Sequence, residues 1–332
     1  MRYILPLLPA AFLITSLTLL IASPNLTAGE STSSPTSSSR SSHNASNNYN
    51  SHIDPKSSPG SDELPKKQEE RPPSPARSNV YTSTTEGSPA PFALVQLFTS
   101  EGCSSCPPAD ALLQQLADNA KKKNRPLYPL SFHVDYWDHL GWKDPFSSHN
   151  FSELQRQYAR AWNASTVYTP QMIVNGMNGF VGSNQRLANR QIKVALTTMP
   201  NFQISLTAQT NPKNSDKTLV SFKIMPLPNY DPESYRLNLL IASAEDAITT
   251  KVEAGENAGK SLPHCAVVRT YNTIPFSEQH LDGELVINLP NDAKPINTNI
   301  VAYIQDPRTL GILGASHIPF PIEQDPDQSS TD

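Results

Sequence analysis

Cysteine is scarce in this chain, with three residues in 332, so no framework of disulfides organises the fold. The formal charge is −4, and no basic face interleaved with aromatics occurs, which leaves nucleic-acid binding without support. Neither Gly-x-Ser-x-Gly nor His-Glu-x-x-His is present, and two common hydrolase designs fall away with them. Gly255-Glu256-Asn257-Ala258-Gly259 lacks the strand-to-helix setting of a phosphate loop and reads as a tight turn. No internal repeat is visible, and nothing in the sequence calls for a cofactor.

The first ninety residues contain little that folds. Residues 1–28 start with one basic residue, Arg2, continue apolar to Ala22 and carry small residues at Ser23 and Ala28. This pattern predicts an export signal cleaved between Ser23 and Ala28. The alternative is an uncleaved anchor, because the run approaches membrane-spanning length; it would be the chain's one contact with a membrane. Pro6 and Pro9 interrupt the run and no clear basic flank follows, which favours cleavage, and no cysteine near its end invites a lipid. Residues 29–90 are rich in Ser, Asn, Pro, Lys and Glu and nearly empty of Ile, Leu, Val and Phe. Such a segment buries too little surface to repay its ordering entropy and reads as a disordered low-complexity linker. Residues 325–332 read as a disordered tail.

From Phe92 the texture changes. Residues 92–98 form a short apolar run that reads as a central strand. Ala109, Leu112, Leu113, Leu116 and Ala117 recur at helical spacing, and Lys121, Lys122 and Lys123 suit a helix C-terminus. Residues 127–134 read as a second strand, followed by an aromatic- and Asp-rich loop over 135–149. Asn150 with Glu153 resembles a capping box, with Phe151, Leu154, Tyr158, Ala159 and Trp162 as the buried face of a helix. Residues 167–176 read as a strand entered through Pro170, then a hairpin turn at Asn175-Gly176 or Asn178-Gly179, a return strand over 180–182 and a helix over 183–198. The predicted order is β-α-β-α-β-β-α, an α/β domain over residues 91–199. Beyond Pro200 the period becomes two, as in Phe202, Ile204, Leu206 and Ala208, or Val220, Phe222 and Ile224. Tyr235, Leu237 and Leu239 continue it, as do Leu285, Ile287 and Leu289. This predicts an antiparallel β-rich domain over 200–324, either a small sandwich or a sheet packed on the first domain.

Two of the three cysteines stand in Cys103-Ser104-Ser105-Cys106, where a strand ends and a helix begins. A thiolate there lies near unpaired backbone N–H groups and the positive end of the helix dipole, which favours the charged form. Cys103 is then the attacking thiol and Cys106, one turn on, the resolving one. In a dithiol fold with this order of elements, a proline before the third strand lies beside the disulfide in cis. Thr169-Pro170 is expected to fill that role, leaving the Thr169 backbone free to pair with a substrate peptide; a plain strand entry is the bland alternative. Three rival uses of the cysteines stand beside exchange. One is a structural disulfide. The others are metal sites: zinc with help from Cys265, His264, His133 or His139, and copper held by Cys103 and Cys106 with His133 or His264.

Other residues are quieter. Asp135, Asp138 and Asp144 do not converge visibly in sequence, while Trp137, Trp142 and Phe146 read as packing for the loop or one wall of a groove. Asp110, one turn past Cys106, reads as local structure. Cys265, beside Ala266 and Val267, reads as a buried free thiol, with a third redox role open only if it reaches the 103/106 pair.

Four stretches carry a family resemblance: Phe98-Thr99-Ser100-Glu101-Gly102-Cys103-Ser104-Ser105-Cys106-Pro107-Pro108-Ala109-Asp110, Phe132-His133-Val134-Asp135-Tyr136-Trp137-Asp138, Leu140-Gly141-Trp142-Lys143-Asp144-Pro145-Phe146 and Val167-Tyr168-Thr169-Pro170-Gln171-Met172. Together with Gly255-Glu256-Asn257-Ala258-Gly259-Lys260, they resemble the bacterial DUF1223 family, mostly secreted proteins of uncharacterised function with a thioredoxin-like fold. The resemblance implies a thioredoxin-like domain fused to the β-rich one, with Cys103 and Cys106 at the place of its dithiol; it supplies no substrate. The expectation is an exported protein, periplasmic or secreted, exchanging disulfides with envelope proteins and with a redox partner protein, in a direction the motif does not set. The alternatives are an envelope binding or scaffolding module with a structural disulfide, and a copper-binding chaperone.

Overall fold

The computed structural model describes residues 80–83, 89–211, 214–230 and 236–322. The signal expected over 1–28, most of the linker, Tyr235 and the tail lie outside the described residues. In chain order the strands and helices are β1 (Val80–Thr82), β2 (Ala93–Thr99), α1 (Pro107–Lys122), β3 (Leu127–His133), α2 (His149–Ala161), β4 (Gln171–Val174), β5 (Phe180–Val181) and α3 (Gln185–Ala195). Then follow β6 (Phe202–Asn211), β7 (Asn214–Pro226), β8 (Leu237–Glu245), β9 (Ile248–Lys251), β10 (Ser261–His264), β11 (Val267–Phe276), β12 (Asp282–Asn288), β13 (Thr298–Gln305) and β14 (Ile312–Pro319). From β2 to α3 the order is the predicted β-α-β-α-β-β-α, and the remainder is β-rich. No helix among the described residues is long and apolar enough to cross a membrane.

Local chemistry explains where the helices begin. Pro107 and Pro108 occupy the first two positions of α1, where no intrahelical N–H is needed. α2 is capped by Ser148, whose hydroxyl accepts from the Asn150 N–H at 3.3 Å, not by Asn150 as the capping-box pattern suggested. α3 starts two residues later than expected, because the Asn184 side chain accepts from Leu187 N–H at 3.1 Å and sets the cap there. Within the stretch read as linker, Val80-Tyr81-Thr82 pairs antiparallel with β6. Three β-branched or aromatic residues in a row suit an edge strand.

One sheet of eight strands runs in the order β14-β13-β8-β11-β3-β2-β4-β5, and a second of four in the order β1-β6-β7-β12. The boundary expected at residues 199/200 falls between α3 and β6, yet hydrogen bonding crosses it. β11 joins β3 in parallel through Val267 opposite Ser131, and Ser131 N–H donates to Ala266 C=O at 2.7 Å. Alternation along each strand then sorts three cores. Leu94 and Phe98 of β2 share one apolar cluster with Phe132, Tyr158 of α2, Leu240 and Tyr303. Ala93, Val95 and Leu97 face the other way, into a cluster with Leu112, Leu113 and Leu116 of α1 and Ile192 of α3. Farther along the sheet, Leu239, Ile241, Ile300 and Ile304 meet Ile204, Leu206, Val220 and Phe222 of the four-stranded sheet. Each such aliphatic or phenyl group withdrawn from water contributes roughly 1.5–3 kcal/mol.

A polar thread stitches the first cluster. Gln96 on β2 accepts from Tyr158 OH at 2.7 Å, Tyr158 OH accepts from Gln305 Nε2 at 2.8 Å, and Gln96 Nε2 donates to Tyr303 OH at 3.4 Å. Gln96 thus reaches α2 and β13 from the middle of the sheet.

Candidate functional site

The β2–α1 connection folds back on itself. Gly102 N–H donates to Ser100 Oγ at 3.1 Å, Cys103 N–H to Ser100 C=O at 3.1 Å, and Cys106 N–H to Cys103 C=O at 3.2 Å. These turns bring the Cα atoms of Cys103 and Cys106 to 5.4 Å, and the two sulfurs form a disulfide. Cys106 is the N-cap residue of α1, and its carbonyl accepts from Ala109 N–H at 2.8 Å. Ser104 and Ser105 are exposed, but Cys103 and Cys106 are each 0 % exposed.

The Thr169–Pro170 bond is cis. A methyl placed on Gly182 would meet Ala109 Cβ at 3.0 Å and Pro170 Cβ at 3.1 Å, so the proline packs beside the first turn of α1. Trp137 spans the same gap: its indole N–H donates to Thr169 Oγ1 at 2.7 Å, and its Cβ would lie 3.1 Å from a Cβ on Gly102. The loop tryptophans therefore wall the site, as their sequence position allowed. Trp142 Nε1 donates to Glu101 Oε2 at 2.8 Å.

Glu101 is fully buried immediately before the cysteine loop. Its second carboxylate oxygen lies 3.1 Å from His264 Nε2, and its N–H donates to Asp144 Oδ2 at 2.8 Å. Asp144 also accepts from His133 Nδ1 at 2.7 Å. The His133 and His264 rings stand 5.0 Å apart. Asp110 is buried in the same cluster, close enough to both histidines to feel their charge. Among the described residues, His133 Nε2 and His264 Nδ1 are buried with no hydrogen-bond partner. Burial raises the Asp110 pKa above the usual carboxylate range, only partly offset by His264 and His133. For His133, burial pulls downward, but Asp144 together with Asp110 and Glu101 outweighs it and the pKa ends raised; that of Asp144 ends lowered, against burial, by His133 and by the N–H groups of Glu101 and Phe146.

Of the three loop aspartates, Asp144 alone reaches this cluster. Asp138 accepts from Ser147 Oγ at 2.7 Å, and Asp135 from the Asp135-facing hydroxyl of Ser152 at 2.5 Å. Among the described residues no group of three or more His, Cys, Asp or Glu is arranged to hold a metal ion. His133 and His264, the candidate third ligands, each have a ring nitrogen paired with a carboxylate. Cys265 is free and buried against the α1 side of the sheet, with its thiol pKa pushed well up by burial.

The C-terminal half completes the site. β9 and β10 form a two-stranded ribbon whose tip carries residues 252–260. There Asn257 Nδ2 donates to Glu101 C=O at 2.8 Å and to Cys103 C=O at 3.0 Å, while Glu256 Oε2 accepts from Ser104 N–H at 3.0 Å. Glu101, Glu256 and Asn257 were not singled out from sequence as site residues. The available signal was their place inside the family-like stretches, since nothing in their own chemistry marks them.

No curated protein matches the chain. A family model described as "Protein of unknown function (DUF1223)" matches residues 94–305. Among solved structures, protein AGR_C_4864 from Agrobacterium tumefaciens is 24 % identical and aligns over 72 % of this chain and 98 % of its own, with a TM-score of 0.51. HBP35 of Porphyromonas gingivalis is 15 % identical over 72 % of this chain and 80 % of its own, with a TM-score of 0.52. At these identities both likenesses speak to the fold alone.

Proposed function

This chain belongs to the DUF1223 family, and we propose that it works as an exported thiol–disulfide oxidoreductase with a thioredoxin-like first half. The observation that carries this reading is the Cys103–Cys106 disulfide at the start of α1 with cis Pro170 packed beside that turn. The order of elements from β2 to α3 supports the thioredoxin-like assignment. The apolar N-terminal run supports export to an oxidising compartment, periplasmic or extracellular. Protein thiols or disulfides of the envelope are the substrates, and a second redox protein resets the pair.

As an oxidant, the disulfide receives a substrate thiolate at Cys103 Sγ; the Cys103–Cys106 bond breaks and Cys106 leaves with the electron pair as a thiolate. A second substrate thiolate then attacks the substrate sulfur of the mixed disulfide, and Cys103 leaves as a thiolate near the α1 N-terminus. The substrate has lost two electrons and the protein has gained them. As a reductant the same steps run backwards, with Cys103 attacking and Cys106 resolving. Thr169 Oγ1 is held by Trp137, and no hydrogen bond to the Thr169 backbone N–H or C=O forms among the described residues, so that backbone is open to a substrate strand.

A Cys106→Ser chain expressed in the native compartment tests this. Mixed disulfides through Cys103 that vanish in the Cys103→Ser/Cys106→Ser double variant are the expected result; their absence removes the exchange reading. Burial of both sulfurs favours the second reading, a binding module whose disulfide is structural. That reading expects no trapped partner and a lower melting temperature on reduction.

A further inference from the structure

We infer that the tip of the β9–β10 ribbon is a displaceable cap on the cysteine loop, with the Asn257 amide in the place of a substrate backbone N–H, making the dithiol selective for extended polypeptide over small thiols. This rests on the exchange reading above and names the substrate class for that site.

Cys103 is the sulfur a substrate must reach, and it is 0 % exposed. An attacking thiolate has to arrive along the S–S axis, so exchange requires something over Cys103 to move. The ribbon tip is bonded to that loop by side chains. Asn257 gives one amide group to the carbonyls of Glu101 and Cys103, and Lys260 Nζ donates to Asn257 Oδ1 at 2.8 Å, which fixes the amide with its N–H side toward the loop. Glu256 takes the Ser104 N–H. Hydrogen bonding from Ser104 also holds the Glu256 carboxyl below its usual pKa.

The Cys103 C=O and the Ser104 N–H belong to one peptide unit and point to opposite sides, and a backbone N–H can stand in for the Asn257 amide on the Cys103 side. An incoming extended segment replaces the Asn257 bond to Cys103 C=O as it displaces the tip, and gains the open Thr169 backbone as well. A small thiol does neither and must wait for the cap to open by itself. The tip is suited to lifting. Gly259 N–H donates to Val252 C=O at 2.8 Å and Val252 N–H to Lys260 C=O at 3.0 Å, so the turn keeps its own shape without the loop. Glu256 is exposed, and its loss opens no hole in a core.

The test uses the oxidised full chain and two reductants of similar thiol chemistry: glutathione, and a flexible synthetic peptide with one central cysteine. Samples are quenched with an alkylating agent, and labelling of Cys103 and Cys106 is read by peptide mapping, which separates it from Cys265. The peptide is expected to reduce the wild-type disulfide faster than glutathione does. Glu256→Ala should accelerate glutathione by about five- to tenfold, the factor carried by one lost hydrogen bond, Asn257→Ser, which loses two bonds to the loop, by at least as much, and both should narrow the ratio between the thiols. Glu256→Ala, a surface change, keeps the test readable should Asn257→Ser fail to fold. Equal wild-type rates, or a ratio that the surface variant leaves unchanged, overturn the inference. Failure of the trapping experiment in the native compartment removes the exchange reading by a separate route, whatever this ratio shows.

Discussion

His133 and Asp144 meet at 2.7 Å with both side chains fully excluded from solvent. The pKa shifts on the two partners agree: that of His133 is raised and that of Asp144 is lowered, each against the pull of burial. Both shifts favour the charged forms of the pair, and Asp144 uses the same oxygen to accept from the Glu101 N–H beside the cysteine loop. A buried histidine–aspartate pair bonded to the base of the cysteine loop gives stability a defined pH window.

A His whose folded pKa lies above its unfolded value of 6.5 contributes fully below 6.5, and that contribution is lost as pH rises through the folded value. An Asp with a depressed folded pKa contributes above its unfolded value of 3.8 and loses this as pH falls. Between 3.8 and 6.5 both are present. Asp144→Asn is expected to cost about 3–5 kcal/mol in that window, the range for breaking a buried pair. The gap to wild type in urea unfolding should shrink on either side. A gap independent of pH would show that the bond is between neutral groups.

Much of this site could be read before any fold was known, and the reasons for the remainder are physical. The cysteine pair and Pro170 are legible because each needs a particular residue type: a thiol, and a ring that permits a cis bond. The α1 stripe is legible because Leu112, Leu113 and Leu116 encode which face is buried. Glu101 was not, since an isolated glutamate reads as solvated until Trp142 and His264 are found on its oxygens. Those partners lie 41 and 163 residues away. Period-two alternation likewise tells which side of β11 is inward but not that β3 is its neighbour. The ribbon tip bonded to the cysteine loop reads as a tight turn, which it is; what it touches is a property of the ribbon that carries it.

Asp110 makes an opposite pH prediction from the same cluster. Its pKa is raised, chiefly by burial, with His264 and His133 pulling it partly back and Asp144 pushing it up. A carboxyl raised in the folded state contributes stability below its unfolded value of 3.8, and the contribution disappears as pH rises through the folded value. Asp110→Asn replaces it by a group of equal size that never ionises. The variant should match wild type near pH 3.8 and become relatively more stable toward neutrality, as read from unfolding midpoints over a pH series. A variant less stable than wild type at pH 7 would mean that the carboxylate is needed as a counter-charge to the histidines.

The Asn175-Gly176 turn tests how firmly the two halves are joined. Gly176 has a φ of +70°, and a Cβ there would stand 1.9 Å from the Leu310 carbonyl oxygen at the β13–β14 turn. Next to it, Ile312 N–H donates to Asn175 C=O at 3.1 Å, and Asn175 ties back to β2 by accepting Leu94 N–H on its side chain at 2.7 Å. The backbone contact leaves a methyl nowhere to go unless β13 and β14 shift against β4. Gly259 is the matched control, with a φ of +79° and nothing within 4 Å of its Cβ position. Gly259→Ala should therefore show the left-handed backbone penalty alone, about 1–2 kcal/mol. Gly176→Ala carries that penalty plus the collision, for a total of about 3 kcal/mol or more. The difference between the two unfolding free energies measures the docking of the α/β half on the β-rich half. Equal losses would mean that this contact yields without cost and that β3–β11 pairing carries the junction.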